Sequence, residues 1–186
     1  MATATKLLPK NVGNCLKMKP GNIVLFNWEN PLGTIIRWRN KIKYGESGWT
    51  HVGIITEDCG ENVRIHEAVS KGFVSSQYPK YWLENKINKG VCLIGTPQQK
   101  LHNIKENADK YLGRDYSFTD LFNIMIYWIS GKTLFKQTAN HLICSEAVTR
   151  ILYDASKKKI DFEKEYEIPY DLIEPMHIRN SQQVKF

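Results

Sequence analysis

The sequence predicts an α+β fold, in which a small antiparallel sheet or barrel packs against helices. Two kinds of segment support this: short β-rich runs bounded by turn residues, and longer segments with apolar residues at helical spacing. Two of the β-rich runs are joined by a short polar turn, which is typical of an antiparallel hairpin. The β-rich runs are residues 22–28, 50–56, 62–69 and 90–95, and the helical segments are residues 34–43, 98–112, 121–129 and 144–152.

The bulk composition is that of an ordinary globular protein, so we interpret residues 1–186 as one domain. Hydrophobic residues make up 42% of the chain and charged residues 24%, which is usual for a globular domain. No run approaches the roughly 20 apolar residues of a membrane span, and Met1–Lys10 lacks the apolar core of a signal peptide. We therefore expect a cytoplasmic protein without a transmembrane segment, with an irregular leader over residues 1–19 and an irregular tail over residues 168–186.

The cysteines and the net charge restrict the classes of partner. The four cysteines are Cys15, Cys59, Cys92 and Cys144. They form no C-x-x-C pair and have no zinc-like spacing with histidine, so we expect no metal or other cofactor. Because the sequence shows no export signal, we expect all four thiols to be reduced. The formal net charge of +7 favours anionic partners. On this charge we predict contact with an anionic surface. Because the basic residues are mostly scattered, we predict no specific binding of nucleic acid.

Residues 34–43 predict an amphipathic helix with Ile35, Trp38 and Ile42 in one apolar stripe. The basic residues around this stripe are Arg37, Arg39, Lys41 and Lys43. A basic amphipathic helix can lie on a membrane surface. Because the segment is short and Ile36 interrupts the opposite face, we expect the stripe to pack on the protein core instead.

Residues 50–69 predict a β-hairpin that brings a histidine beside a carboxylate. With a five-residue turn centred on Cys59, counting outward places His51 directly opposite Glu67. Directly opposed side chains point to the same face, with Cβ atoms about 5 Å apart. His66 then points to the opposite face. A slip of one residue in this register would exchange the two faces.

Three further segments complete the prediction of secondary structure. Residues 71–89 are polar with interspersed aromatic residues, and we interpret them as irregular. Residues 98–112 predict an exposed helix that ends at Gly113. Residues 121–129 follow a capping box at Ser117–Asp120, are apolar almost all round, and predict a central buried helix. An alternative interpretation is that this helix forms an apolar wall for an acyl group of a substrate.

The segment His141–Leu152 places a cysteine at the start of a helix. The apolar stripe of this helix consists of Ala147, Val148, Ile151 and Leu152. A serine and a glutamate at positions 145 and 146 suit its first turn. Cys144 is therefore expected just before the helix or on its first turn, where unpaired N–H groups and the helix dipole favour the thiolate. The alternative is that Cys144 is a buried small hydrophobe, which is common for cysteine.

These residues together predict a site for cysteine catalysis. Such catalysis needs a thiolate, a base that moves its proton, and a group that orients the base. Cys144 supplies the thiolate, His51 the base and Glu67 the orienting group. The backbone N–H of Cys144 is a candidate donor to an oxyanion. His141 lies three residues before Cys144 and is a second candidate base, but the sequence shows no acid partner for it.

Three motifs resemble those of the permuted NlpC-type papain-like cysteine hydrolases, and of their YiiX-like branch in particular. The motifs are Thr50-His51-Val-Gly-Ile-Ile on a strand, His66-Glu67-Ala on the next strand, and Leu-Ile-Cys144-Ser-Glu at a helix start. The resemblance covers roughly residues 18–155. The chain departs from the family at Trp49-Thr50, where an aromatic residue and a serine are more usual, and at Asn22, where aspartate is common.

The resemblance implies a circularly permuted papain-like fold, with Cys144 as nucleophile, His51 as base and Glu67 as the residue that orients the imidazole. It also implies a peptidase or amidase that cleaves an amide bond through an acyl-enzyme. The expected substrate is a peptide, an acyl-amino compound or a lipid. Two alternatives stay open: a lipid acyltransferase or thioesterase that uses the same thiolate, and a non-catalytic module that binds anions and retains a relic triad.

Overall fold

The computed structural model describes residues 18–29, 31–46, 48–134 and 141–186. The strands in these residues are β1 (Ile23–Phe26), β2 (His51–Cys59), β3 (Asn62–Val69), β4 (Gly72–Pro79), β5 (Cys92–Pro97), β6 (Asp115–Tyr116), β7 (His141–Leu142) and β8 (Val184–Lys185). Six of them form one antiparallel sheet in the order β4-β3-β2-β1-β5-β8, and β6 pairs with β7 in a short parallel ladder.

The described helices are α1 (Pro31–Tyr44), α2 (Lys80–Asn88), α3 (Ile104–Asp109), α4 (Phe118–Ser130), α5 (Cys144–Ala155), α6 (Phe162–Tyr166) and α7 (Pro175–Asn180), with a 3-10 turn at Tyr170–Leu172. The predicted α+β class is therefore confirmed. In the described ranges, no helix combines the length and the apolar character needed to cross a bilayer.

Helix α5 is the centre of the larger hydrophobic core. Its predicted stripe is confirmed, because Ala147, Val148, Ile151 and Leu152 are fully buried. These side chains pack with Val52 and Ile54 of β2 in a single cluster. A second cluster on the other side of the sheet contains Phe26, Ile55 and Ile65 together with Leu83 of α2. The sheet is thus covered on both faces, which fixes the strands that carry the site.

The prediction that residues 71–89 are irregular is wrong. They form strand β4, which pairs with β3 over its whole length, and helix α2. Strand β4 lies at the edge of the sheet, and it is polar at Ser75, Ser76 and Gln77. An edge strand needs less apolar surface than a central one, so its sequence lacks the alternation that predicts a strand.

The predictions for residues 98–112 and for the C-terminal tail are also wrong. The helix expected over residues 98–112 is limited to α3. The residue before it, Asn103, has a left-handed backbone conformation with φ 50°. The tail expected to be irregular over residues 168–186 contains the 3-10 turn, α7 and β8, and Ile173, Met176 and Ile178 in it are buried. These helices are too short to show a clear apolar period. Of the leader, residues 1–17 lie outside the described part of the chain.

Helices α1 and α4 are less buried than predicted. Ile35, Trp38 and Ile42 of α1 were expected to pack on the core, but they are 48%, 68% and 68% exposed. Helix α1 instead buries Asn40. The capping of α4 is confirmed at both ends, because Ser117 Oγ accepts a hydrogen bond from the N–H of Asp120 and Gly131 ends the helix at φ 69°. The prediction that α4 is buried all round is wrong, because the helix exposes phenylalanines on one side.

Candidate active site

The β2–β3 hairpin brings His51 and Glu67 together through a register that differs from the predicted one. The turn is shorter, with Cys59 paired to Asn62, and the ladder then has an irregularity at Thr56. Beyond it, Glu67 pairs with Gly53 and is a diagonal neighbour of His51. Uninterrupted pairing from the turn would place Glu67 on the face opposite to His51, because side chains alternate along a strand. The β-bulge at Thr56 therefore sets the face on which the pair forms.

His51 and Glu67 form a buried hydrogen bond. His51 Nε2 lies 2.8 Å from Glu67 Oε2, and the two residues are 5% and 1% exposed. Glu67 Oε1 accepts a second hydrogen bond of 2.7 Å from the hydroxyl of Tyr78 on β4. Each carboxylate oxygen thus has its own donor, which holds Glu67 in one orientation and so orients the imidazole.

Aromatic stacking fixes the plane of the His51 ring. The ring of Trp28 lies nearly parallel to it, with the two ring centroids 4.0 Å apart. Thr50 holds the Trp28 backbone, since its Oγ1 accepts a hydrogen bond of 2.8 Å from the Trp28 N–H. Because Glu67 engages Nε2, the nitrogen that remains available to a thiol is Nδ1.

Cys144 is the first residue of α5, as the sequence predicts. Ile143 is the N-cap residue and has an extended backbone, with φ −98° and ψ 163°. The Ser145 hydroxyl does not cap this helix, because it donates a 2.5 Å hydrogen bond to the carbonyl of Ile173. At the first helical position the backbone N–H of Cys144 has no carbonyl within the helix, so it can donate to a ligand. Cys144 is 7% exposed.

The charges of the three groups are coupled. Burial alone would lower the pKa of His51, but a hydrogen bond and Coulombic attraction to Cys144, and the same two interactions with Glu67, raise it to about 9. Burial would raise the pKa of Glu67, but its hydrogen bonds and the charge of His51 hold that pKa below its usual value. At neutral pH the arrangement therefore favours an imidazolium held by a carboxylate.

Cys144 opens onto an apolar cleft, which we call the cysteine cleft. Its apolar walls come from α1, α4 and Ile143, and they include Ile35, Ile36, Leu121, Ile124 and Met125. The cleft encloses about 570 Å³, including the space open to solvent. This finding supports the alternative interpretation of α4, in which one side of that helix is an apolar wall beside the cysteine.

A second cleft, which we call the histidine cleft, adjoins the cysteine cleft. His51, Trp28, Ser70 and Phe118 line it, and it also encloses about 570 Å³ with the space open to solvent. Ile36, Thr50 and Tyr116 line both clefts. A chain-like substrate could therefore extend from Cys144 in the cysteine cleft to His51 in the histidine cleft.

The cysteine cleft has one charged end. Glu174 and Arg39 both line it, and they form a two-pronged ion pair in which Arg39 Nη2 lies 2.6 Å from Glu174 Oε1. Lys43 Nζ approaches the same carboxylate to 3.7 Å. Glu174 precedes α7, so this ion pair joins α1 to the C-terminal segment beside the cleft.

The other histidines do not join the triad. His66 points to the opposite face as predicted, where its ring nitrogens contact Thr56 Oγ1 at 2.8 Å and Asp109 Oδ1 at 3.0 Å. Burial raises the pKa of Asp120 and attraction to His141 offsets part of that rise, but neither Asp120 oxygen has a hydrogen-bond partner among the described residues, so Asp120 does not orient His141. No hydrogen bond to His141 Nδ1 occurs within the part of the chain that the structure describes.

Sequence reasoning missed three aromatic residues of the site: Trp28, Tyr78 and Tyr116. Tyr78 was missed because β4 was not predicted, and Trp28 because stacking across strands leaves no local pattern. Tyr116 lies on β6, next to β7 and Cys144, and burial together with the charge of Cys144 raises the pKa of its phenol. It therefore retains a proton that it can donate.

The described ranges contain no group of three or more histidine, cysteine, aspartate or glutamate side chains that could hold a metal ion. No protein-family model matches the sequence, and a search of curated proteins found no match to it.

Proposed function

We propose that the protein is a cysteine hydrolase that cleaves an amide or peptide bond, with Cys144 as nucleophile, His51 as general base and acid, and Glu67 as the residue that orients His51. The observation that carries this proposal is the buried 2.8 Å hydrogen bond between His51 and Glu67. The raised pKa of His51, to which Cys144 and Glu67 both contribute, supports it. A nucleophile, a base and an orienting acid in this order are the parts that acyl transfer needs.

The first half of the reaction forms an acyl-enzyme. The Cys144 sulfur attacks the substrate carbonyl carbon, and the backbone N–H at the start of α5 donates a hydrogen bond to the developing oxyanion. His51 Nδ1 gives its proton to the leaving amine as the carbon–nitrogen bond breaks. Glu67 stays ionised and holds Nε2, so the ring does not rotate during the transfer.

The second half releases the acid. His51, now neutral, takes a proton from a water molecule that attacks the thioester carbon. The carbon–sulfur bond breaks, the carboxylic acid leaves, and the sulfur and imidazole regain their starting charges. The two clefts, one lined by Cys144 and the other by His51, give the acyl group and the leaving group separate places.

A lipid acyltransferase or thioesterase is the second candidate, and the lining of the cysteine cleft favours it. Ile35 and Ile36 of α1 and Leu121, Ile124 and Met125 of α4 give that cleft apolar walls, beside polar residues such as Asn40 and Thr50. An aliphatic acyl chain would bury apolar surface there, which contributes about 0.8 kcal/mol for each CH₂ group. The same thioester intermediate would then be transferred to an amine or hydroxyl, or be hydrolysed.

Intact-mass spectrometry with a panel of amide, ester and thioester probes tests the proposal. We expect the wild type to gain the mass of an acyl group from at least one class of probe, and peptide mapping to place it on Cys144. Cys144→Ser should not form this thioester adduct. Adducts only from fatty-acyl thioesters or esters would favour the second candidate.

The matched variants are His51→Ala and His141→Ala. The first should slow acylation by about 100-fold or more, which is a usual contribution of general acid–base catalysis, and the second should leave it unchanged. No adduct from any probe, or equal slowing by both variants, would contradict the proposal and favour a binding module.

A further inference from the structure

The apolar stripe of α1 faces solvent. Ile35, Trp38 and Ile42 lie at i, i+3 and i+7, which places them on one face of the helix. All three are large, and all are at least 48% exposed. Single exposed apolar residues are common on proteins, but a contiguous stripe is not, and it indicates an interaction surface.

Helix α4 extends this surface. Phe118 and Phe122 lie at i and i+4 on one side of α4, and they are 59% and 49% exposed. Both helices border the cysteine cleft, and both also reach the histidine cleft, through Ile36 of α1 and Phe118 of α4. We call this surface the apolar rim, defined as Ile35, Trp38, Ile42, Phe118 and Phe122.

The charges beside the apolar rim are positive. Helix α1 carries four basic residues and no acidic residue. Arg39 and Lys43 share the single carboxylate of Glu174, so the helix keeps a net positive charge. At 100° per residue, Lys41 lies on one side of the stripe and Arg39 on the other. An apolar face with basic residues along its borders is the pattern of a helix that lies in the membrane interface.

We propose that the apolar rim docks the protein on an anionic lipid membrane. Helix α1 would lie parallel to the surface, with Trp38 and Ile42 among the upper acyl chains and Lys41 beside the phosphate groups. Each basic residue near an anionic leaflet strengthens binding by about fivefold. The formal net charge of +7 acts in the same direction. The mouths of both clefts would then face the lipid.

This inference does not rest on the proposed function. The docking surface uses exposed side chains of two helices, whereas catalysis would use three buried side chains elsewhere. Cys144→Ser should therefore bind vesicles as the wild type does. If the triad proves inactive, membrane binding is still expected.

Co-sedimentation with lipid vesicles tests the proposal with the full chain. We expect the wild type to bind phosphatidylcholine vesicles that contain phosphatidylglycerol, to bind pure phosphatidylcholine more weakly, and to dissociate as salt concentration rises. Trp38→Ser and Ile42→Ser should each lower the partition coefficient by about tenfold or more, since each removes a large side chain from the lipid phase. Lys41→Gln should lower it by about fivefold.

The matched controls are exposed residues outside the apolar rim. Tyr81→Ser and Leu112→Ser remove exposed apolar side chains, and Lys100→Gln removes an exposed charge, so all three should bind as the wild type does. The proposal would be overturned if the wild type bound neither vesicle, if it bound both equally, or if Ile42→Ser bound as well as the wild type. It would also be overturned if the wild type were a dimer that binds no vesicles and if Ile42→Ser dissociated that dimer. A second copy of the chain would then cover the apolar rim.

Discussion

Glu67 is a carboxylate that the fold has almost removed from water, and it is stabilised there by two hydrogen bonds. His51 donates one of them and Tyr78 the other. A buried carboxylate left without partners would take up a proton, but here the pKa of Glu67 is lowered. Its charge is therefore available to hold a proton on His51, whose pKa is raised to about 9.

Replacing this charge should lower the pKa of His51. Glu67→Gln keeps the size of the side chain but removes the Coulombic attraction, so the pKa should fall by about one unit or more. The basic limb of any pH–rate profile should move to lower pH by the same amount, since the leaving group needs the proton on His51. An NMR titration of the His51 ring measures the change, with His51→Ala used to assign the signal.

The same shift has a consequence for stability. The pKa of His51 lies above its usual value of 6.5 in the fold, so protonation stabilises the folded state. This contribution is complete below about pH 6.5 and is lost as the pH rises through about 9.

Tyr78→Phe is the control for Glu67→Gln, because it removes a hydrogen bond to Glu67 and keeps the charge of Glu67. A His51 pKa that is the same in Glu67→Gln and the wild type would show that Glu67 does not hold the proton.

At the scale of elements, the ion pair of Arg39 with Glu174 joins α1 to the segment before α7. The Glu174 side chain is 5% exposed, so its charge depends on its cationic partners. Arg39→Ala should destabilise the fold by about 3 kcal/mol, because it leaves the buried Glu174 carboxylate with the longer ion pair to Lys43 at 3.7 Å. Urea unfolding measures this loss.

Two variants separate the ion pair from the helix that carries it. Lys41→Ala, which changes an exposed residue of the same helix, should alter the free energy of unfolding by less than about 0.5 kcal/mol. Adding Glu174→Gln to Arg39→Ala should recover part of the loss, since it removes the unpaired charge. If Arg39→Ala were as stable as the wild type, the pair would not join the two elements.

For the whole molecule, apolar patterns predicted the central elements. The stripe of α5 and the β-rich runs of β1, β2, β3 and β5 are apolar because they are buried, so the α+β class could be derived from sequence. The position of Cys144 at the start of α5 follows from that stripe. Strand β4 and helix α7 could not be predicted, because an edge strand and a six-residue helix carry too little apolar pattern.

The relation between His51 and Glu67 shows what sequence can and cannot determine. Counting from a five-residue turn placed His51 and Glu67 on one face of the sheet. The turn is in fact shorter, which alone would separate them, and the bulge at Thr56 returns Glu67 to the face of His51. A bulge depends on packing against neighbouring strands and has no reliable signature in one sequence. The exposure of the apolar stripe of α1 was not predicted for a related reason. Periodicity locates an apolar face without showing whether the protein core covers it.

The central claim is that Cys144, His51 and Glu67, which are far apart in the sequence, act as one chemical unit. The most direct test is the rate at which iodoacetamide alkylates each cysteine at neutral pH, resolved by peptide mapping. Cys59 is a partly exposed thiol and an internal reference. We predict that Cys144 reacts about tenfold faster than Cys59 or more, and that His51→Ala removes this advantage. Alkylation of Cys144 at the rate of Cys59 or slower, unchanged in His51→Ala, would contradict the account.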